Sequence, residues 1–363
     1  MERKTGSLPR GLQQLILCLL GALLCTPLWA EEYFDRYGLT PDSVSVDVGV
    51  QPLGFPSGVI STVMRRDRIL KQQLQSLGLP LKSHPFRRGA DMLPLLADRR
   101  LEAGLLGDMP TLLAAAQGKV VIVGLVKQTS TAIVANGLRQ VSELAGKKIG
   151  YVPVSSAHHT LLQGLIAGGI SEQQVTLVPM GVDDLPTALA SGRIDAFAAW
   201  EPGPTLALQA SERNHIVFRG RTTDYFVISR DFAARQPAAA RYLAAGLARA
   251  IEWMRRSQAN LDKAARWALD ESTTFSGQAK LSMAEVGRIT RQDILNVPSA
   301  PVIVSSTAAG GPLRSEFEFL RQQGKLSDKD QWENVASALS DKGMRQVMSE
   351  RRKYRVDEFE FED

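Results

Sequence analysis

The 363-residue chain carries 43 Lys and Arg against 38 Asp and Glu, a formal net charge of +5, with 44% hydrophobic residues and few aromatics. This is an ordinary globular composition, long enough to bury a sizeable core in more than one lobe, and too weakly basic for a polycationic nucleic-acid binder. The two cysteines stand at Cys18 and Cys25.

The chain opens with Arg3, Lys4 and Arg10, followed by the apolar run LQQLILCLLGALLCTPLWA, which ends at Ala30 before Glu31 and Glu32. A basic start, a short apolar stretch and a small residue at its end read as a secretory signal peptide over residues 1–30, cut near Ala30. Bulky Leu28, three positions before the cut, favours the alternative of an uncleaved N-terminal anchor. Leu24 before Cys25 argues against a lipid attachment site. Cleavage would remove both cysteines, and with them disulfides, thiolate catalysis and cysteine metal ligands. No other segment approaches the roughly 20 apolar residues of a membrane-spanning helix. The expected product is an exported, soluble protein, and export itself makes nucleic acid a poor partner.

The alternating SVSVDVGV (43–50) predicts a half-buried strand that runs into the turn-rich QPLGFPSG. A helix is predicted over 57–77, stopped by Gly78 and Pro80. A strand at LKSHPF, a helix after Gly89 and a strand at AGLL follow. Next comes the turn GDMP, whose Pro110 suits the first position of the helix PTLLAAAQ. VVIVGL (120–125) reads as a strand buried on both faces of a parallel sheet. The alternation then restarts with STAIVA, KKIGYV, a helix from Ser156, VTLVPM, the helix DDLPTALAS closed by Gly192, and DAFAAW. Strands alternating with helices at this spacing predict two parallel α/β units. HIVF and DYFVIS lead back towards the first unit, and helices are expected at 237–257, 260–269, 282–295, 312–323 and 328–348. The terminal ERRKYRVDEFEFED is expected to be a frayed, charged tail.

The most informative stretch is GYVPVSSAHHTLLQGL (150–165), where a strand stops at Pro153 and a helix opens with two serines and two histidines. A helix that begins at the carboxyl end of a parallel strand turns unpaired N–H groups and the positive end of its dipole into the crevice there. Small hydroxyl residues leave room for a small anion and add donors. The plainer reading is that the serines only cap the helix. His158 and His159 diverge by about 100° around a helix and cannot chelate one metal together, leaving one to meet a ligand and the other solvent. His84 and His215 are isolated and read as structural; no metal site and no cofactor is expected.

GDMPTLLAAAQG, LAGKKIGYVPVSSAHHTLL and ALASGRIDAFAAWEP, in this order and spacing, resemble the periplasmic substrate-binding proteins of ABC importers for sulfonates, taurine and nitrate, and the resemblance runs from about Ser43 to Leu339. It implies an α/β, type II periplasmic-binding-protein fold: two α/β lobes with a ligand cleft and a helical C-terminal extension. The expected layout is lobe I over 31–128, lobe II over 129–222, a return to lobe I with C-terminal helices over 223–348, and the tail at 349–363. Ligand contacts carried over by the resemblance are Gln51, Pro52 and Phe55 with Gly107, Asp108 and Met109 on lobe I. Ser155, Ser156, His158, Trp200 and Glu201 face them on lobe II. Trp200 is expected to wall the ligand's organic part or to join the core, and Lys127 and Arg221 to lie near the hinge as sources of positive charge. Many sulfonate-type members have glycine before the paired serines, whereas this chain has Val154; a β-branched residue is not expected at positive φ, so a different turn is expected here.

The implied function is capture of a small organic anion, most simply a sulfonate, by a monomer that hands it to a permease and its ATPase in the inner membrane. The alternatives are a sensor that presents the ligand to a receptor, and a same-fold enzyme or binder for a pyrimidine thiamine precursor. An enzyme is disfavoured because the sequence has neither a Gly-x-Ser-x-Gly elbow nor a Gly-rich phosphate loop.

Overall fold

A computed structural model describes residues 33–41, 43–278, 281–303, 312–340 and 342–363; the signal-peptide reading of 1–30, with both cysteines, falls outside them. The chain divides at Gly38 into two units. The described part of the first holds a 3-10 turn, Asp35–Tyr37, closed by Gly38 at φ 61°. All other elements belong to the second unit, Leu39–Asp363.

Its first half builds three parallel strands, β1 (Val46–Val50), β2 (Leu81–Pro85) and β3 (Ala103–Gly107), linked through helices α1 (Ser57–Arg66), α2 (Arg68–Gln75) and α3 (Leu93–Ala97). Helix α4 (Asp108–Ala116) follows β3 directly, so it starts two residues before Pro110. The region predicted as one helix over 57–77 is two, because the chain leaves helical geometry at Asp67 (ψ 105°). The Asp67 carboxylate then caps α2 by accepting from the Leu70 N–H at 3.0 Å.

VVIVGL and STAIVA are one 17-residue strand, β4 (Val120–Asn136), whose partners are antiparallel. The sequence reading missed this because an apolar run buried on both faces looks the same with either strand direction. The second parallel unit is β5 (Lys148–Tyr151), helix α5 (Ser156–Ala167), β6 (Thr176–Pro179), helix α6 (Leu185–Ala190), β7 (Ala196–Ala199) and helix α7 (Gly203–Ala210). HIVF and DYFVIS likewise join into β8 (Asn214–Ser229).

All eight strands form one sheet in the order β2-β1-β3-β8-β4-β7-β5-β6. Strand β3 pairs with β8 only as far as Asp224, and β7 pairs with β4 only from Ala132 onward. Between them, Gln128 to Thr131 on β4 and Thr223 to Gly220 on β8 pair only with each other. A two-stranded ribbon without lateral neighbours is the narrowest bridge between the two lobes, and therefore the place where they bend most easily. Helix α5 lies close to it: a Cβ on Gly220 would collide with Thr160. Thr131 and Thr160 also share a hydrogen bond.

The chain continues through α8 (Arg230–Arg235), α9 (Pro237–Arg256), α10 (Gln258–Ser276), α11 (Met283–Thr290) with a π turn to Leu295, α12 (Pro312–Gln322), α13 (Trp332–Ala338) and α14 (Lys342–Ser349). The last two replace the single helix expected over 328–348. The terminal segment is not frayed. Tyr354 and Val356 are buried. The Arg68 N–H donates to the Glu360 carbonyl at 2.8 Å and the Glu362 N–H to Arg66 at 2.9 Å. The Phe361 ring lies 4.5 Å from that of Trp253. Charge misled the sequence reading here, because Tyr354, Val356, Phe359 and Phe361 are interleaved among the charged residues.

Candidate functional site

The carboxyl ends of the parallel strands of both lobes converge on one crevice, as open α/β sheets require of a ligand site. On lobe I, β1 runs into Gln51 and β3 ends at Gly107; on lobe II, β5 runs into Val152–Ser156 and β7 into Trp200. The two edges touch. The Phe55 N–H donates to the Glu201 carbonyl at 3.3 Å, and the Ser156 hydroxyl donates to Asp108. Beneath these contacts lies a cavity of about 70 Å³, lined from lobe I by Gln51, Ser57, Arg88 and Gly107. Lobe II contributes Val154, Ser155, Ser156 and Trp200, and the hinge ribbon contributes Lys127, Thr131, Thr222 and Asp224. This volume suits one compact molecule or a few waters.

The start of α5 is built to leave donors unused. Ser155 is its N-cap, its hydroxyl accepting the His158 N–H at 3.2 Å and donating to the Val152 carbonyl at 2.7 Å. The Ser156 and Ala157 N–H groups then have no acceptor among the described residues, as expected of the first turn of a helix. The Val154 N–H is held by His158 Nδ1 at 3.3 Å, which places the imidazole proton on Nε2. Val154 itself stands at φ 55°. The expectation that a β-branched residue would avoid positive φ is therefore wrong for this turn. Anchors on both sides of Val154 over-determine it, so the local cost is borne by the surroundings.

The hinge ribbon supplies charge. Lys127, which is buried, lies 3.4 Å from Asp224 Oδ2, and the Ser57 hydroxyl also donates to that carboxylate. Thr222 is 2% exposed, and its hydroxyl has no hydrogen-bond partner among the described residues. Burial pushes the Asp108 carboxyl up to about 6, against the lowering effect of the Ser156 hydroxyl and aided by the nearby charge of Asp224. Asp108 also accepts from the Met109 N–H at 2.8 Å and the Thr223 N–H at 3.2 Å.

Of the eleven residues singled out in the sequence, Gln51, Gly107, Ser155, Ser156 and Trp200 line the cavity. Trp200 fills both roles foreseen for it, since it also packs on the lobe II core around Val134, Leu185 and Phe197. Pro52, Phe55, Asp108 and Met109 are buried behind the lobe I wall. Glu201 is directed to its own helix, accepting from the Thr205 N–H at 3.2 Å. His158 lies behind the cavity wall, its ring 4.7 Å from that of Tyr151 and 5.7 Å from that of Phe319. His159 is also buried, 4.6 Å from Phe319, so neither histidine meets solvent as one was expected to. Desolvation lowers both to about 4 and keeps them neutral. Arg221 is exposed and outside the lining. The sequence reading did not pick out Ser57, Arg88, Thr131, Thr222 or Asp224. The available signal was the polar RTTD that interrupts the apolar pattern of β8.

The profile of the family described as NMT1/THI5 like matches residues 75–260, roughly half of the chain. The taurine-binding periplasmic protein of Escherichia coli K12 is 25% identical over 257 residues, covering 66% of this chain and 77% of that protein. A putative aliphatic sulfonates-binding protein of the same strain is 27% identical over 163 residues, 43% of this chain and 50% of that one. Among solved structures, the alkanesulfonate-binding protein SsuA of Xanthomonas axonopodis pv. citri bound to MOPS superposes with a TM-score of 0.64 at 24% identity, covering 82% of this chain and 98% of that one. The fold is that of the two-lobed periplasmic binding proteins, with its helical C-terminal region.

Proposed function

Because the chain belongs to the NMT1/THI5-like family, we propose that it is the extracytoplasmic solute-binding component of an ABC importer, and that it captures a small organic anion, a sulfonate, in the interlobe cavity. The observation that carries this reading is the start of α5. The Ser156 amide, without an acceptor among the described residues and at the positive end of a helix dipole, stands beside the Ser155 N-cap in the wall of a cavity shared by both lobes. The names of the taurine and aliphatic-sulfonate relatives support the same ligand class.

In this reading Gln51, Gly107, Ser155, Ser156 and Trp200 touch the ligand, while Pro52, Phe55, Asp108, Met109, His158 and Glu201 shape and hold the two cleft edges. The protein performs no chemistry on its ligand. The leader is removed near Ala30, and the monomer, bending between lobes divided near 128/129 and 222/223, delivers its ligand to the permease and its ATPase. Closure is a population shift, driven by contacts that exist only when both lobes reach the ligand.

Titration calorimetry of the purified protein with ethanesulfonate, nitrate and a pyrimidine thiamine precursor tests the proposal. One-to-one binding of ethanesulfonate, with nitrate and the pyrimidine weaker, is the expected result. A folded protein that gives no heat with ethanesulfonate, or that binds the pyrimidine more tightly, overturns it.

A further inference from the structure

Resting on the anion reading above, we infer that the ligand is a monoanion with a neutral hydroxyl at its far end, a hydroxyalkanesulfonate, and that Thr222 on the hinge ribbon is the residue that selects it. The cavity has two distinct polar regions. One is the start of α5 on lobe II. The other is its hinge side, formed by Thr222, Lys127 and Asp224.

Thr222 is the informative member of the second region. It is 2% exposed, it lines the cavity, and its hydroxyl has no partner among the described residues. A buried hydroxyl left without a hydrogen bond is costly, so one carried by a residue that lines the cavity marks where a ligand's polar atom belongs. The hydroxyl both donates and accepts, and so matches another hydroxyl.

The surrounding charges argue against an ammonium at that end. Asp224 is already engaged by Lys127 at 3.4 Å and by the Ser57 hydroxyl. Asp108, 1% exposed, is occupied by Ser156 and by the amides of Met109 and Thr223. A ligand cation would share a desolvated cavity with Lys127 and find no free carboxylate among the described residues that line it.

The test is a set of calorimetric affinities for ethanesulfonate, 2-hydroxyethanesulfonate and 2-aminoethanesulfonate, measured on the parent protein and on Thr222→Val and Thr222→Ser. The expected order places 2-hydroxyethanesulfonate about tenfold or more ahead of both others, the size of one hydrogen bond to a buried group. In Thr222→Val the ratio of hydroxyethyl to ethyl affinity should fall to about one, and in Thr222→Ser most of it should return. A tighter fit for 2-aminoethanesulfonate, or a hydroxyl preference that survives in Thr222→Val, overturns the inference while leaving the anion reading intact. Failure of all three sulfonates to bind the folded parent protein overturns both.

Discussion

Val154 was read as a departure from the glycine expected before the paired serines, and it proves to occupy the left-handed conformation that glycine would take. That conformation costs a residue with a Cβ roughly 1–2 kcal/mol, partly offset because glycine would lose more backbone entropy on folding. Val154→Gly is therefore expected to raise stability by about 1 kcal/mol in denaturant unfolding; a loss of stability would mean that the valine side chain contributes packing that outweighs the strain. Away from the cleft, Glu102 is buried, its Oε2 accepting the Asp47 N–H at 2.8 Å. Burial first, and the Asp47 charge after it, push this carboxyl up to about 7 from 4.5. Its folded pKa is raised, so between pH 4.5 and 7 the folded state holds a proton that the unfolded state has released, and stability declines as pH rises through that window. Glu102→Gln removes this slope. Its advantage over the parent should grow across the window to roughly 2–3 kcal/mol and stay flat above it, and urea midpoints at several pH values would expose a failure as parallel curves.

Among the elements, the terminal segment shows how a buried charge organises a helix bundle. Arg249 on α9 is fully buried, its Nε 2.7 Å from Asp67 Oδ2 and its Nη1 2.7 Å from the Tyr354 carbonyl. One guanidinium thus ties together the break between α1 and α2, the long helix α9, and the tail. Removing one member of a buried ion pair strands the other, at a cost of about 3–5 kcal/mol. Arg249→Ala is expected to lose that much stability and to become sensitive to limited proteolysis beyond Glu350, read by mass spectrometry. A variant that keeps a protected tail would show that Phe361 and the backbone bonds to Arg66 and Arg68 suffice. The helices around this junction were legible from their apolar periodicity. The junction was not, because Asp67, Arg249 and Tyr354 are far apart in sequence and look like ordinary surface residues there.

For the molecule as a whole, the two lobes meet through the Phe55 to Glu201 backbone bond and the Ser156 to Asp108 bond, and the β4–β8 ribbon is the narrow connection between them. Ser156→Ala deletes one closing contact and leaves Asp108 short of a donor, while the Ser156 amide remains. In small-angle scattering the ligand-free variant should have a larger radius of gyration than the parent, and saturating ethanesulfonate should restore compactness with affinity weakened about tenfold. Unchanged dimensions and unchanged affinity would show that this contact does not hold the lobes together.

By itself the sequence determined the α/β alternation, the helix that opens at Ser156, the turns that form the cleft edges, and five of the residues that line the cavity. Those features depend on local patterning: period, capping residues and turn residues leave their marks within a few positions. Only the tertiary structure decided that VVIVGL and STAIVA are one antiparallel strand, that His158 braces the Val154 turn from behind, that Ser156 is engaged by Asp108, and that Thr222 and Asp224 line the interlobe cavity. The physical reason is the same in each case. Strand direction, burial and the pairing of charges are set by groups far away in sequence, and local pattern carries no record of them until the chain has folded.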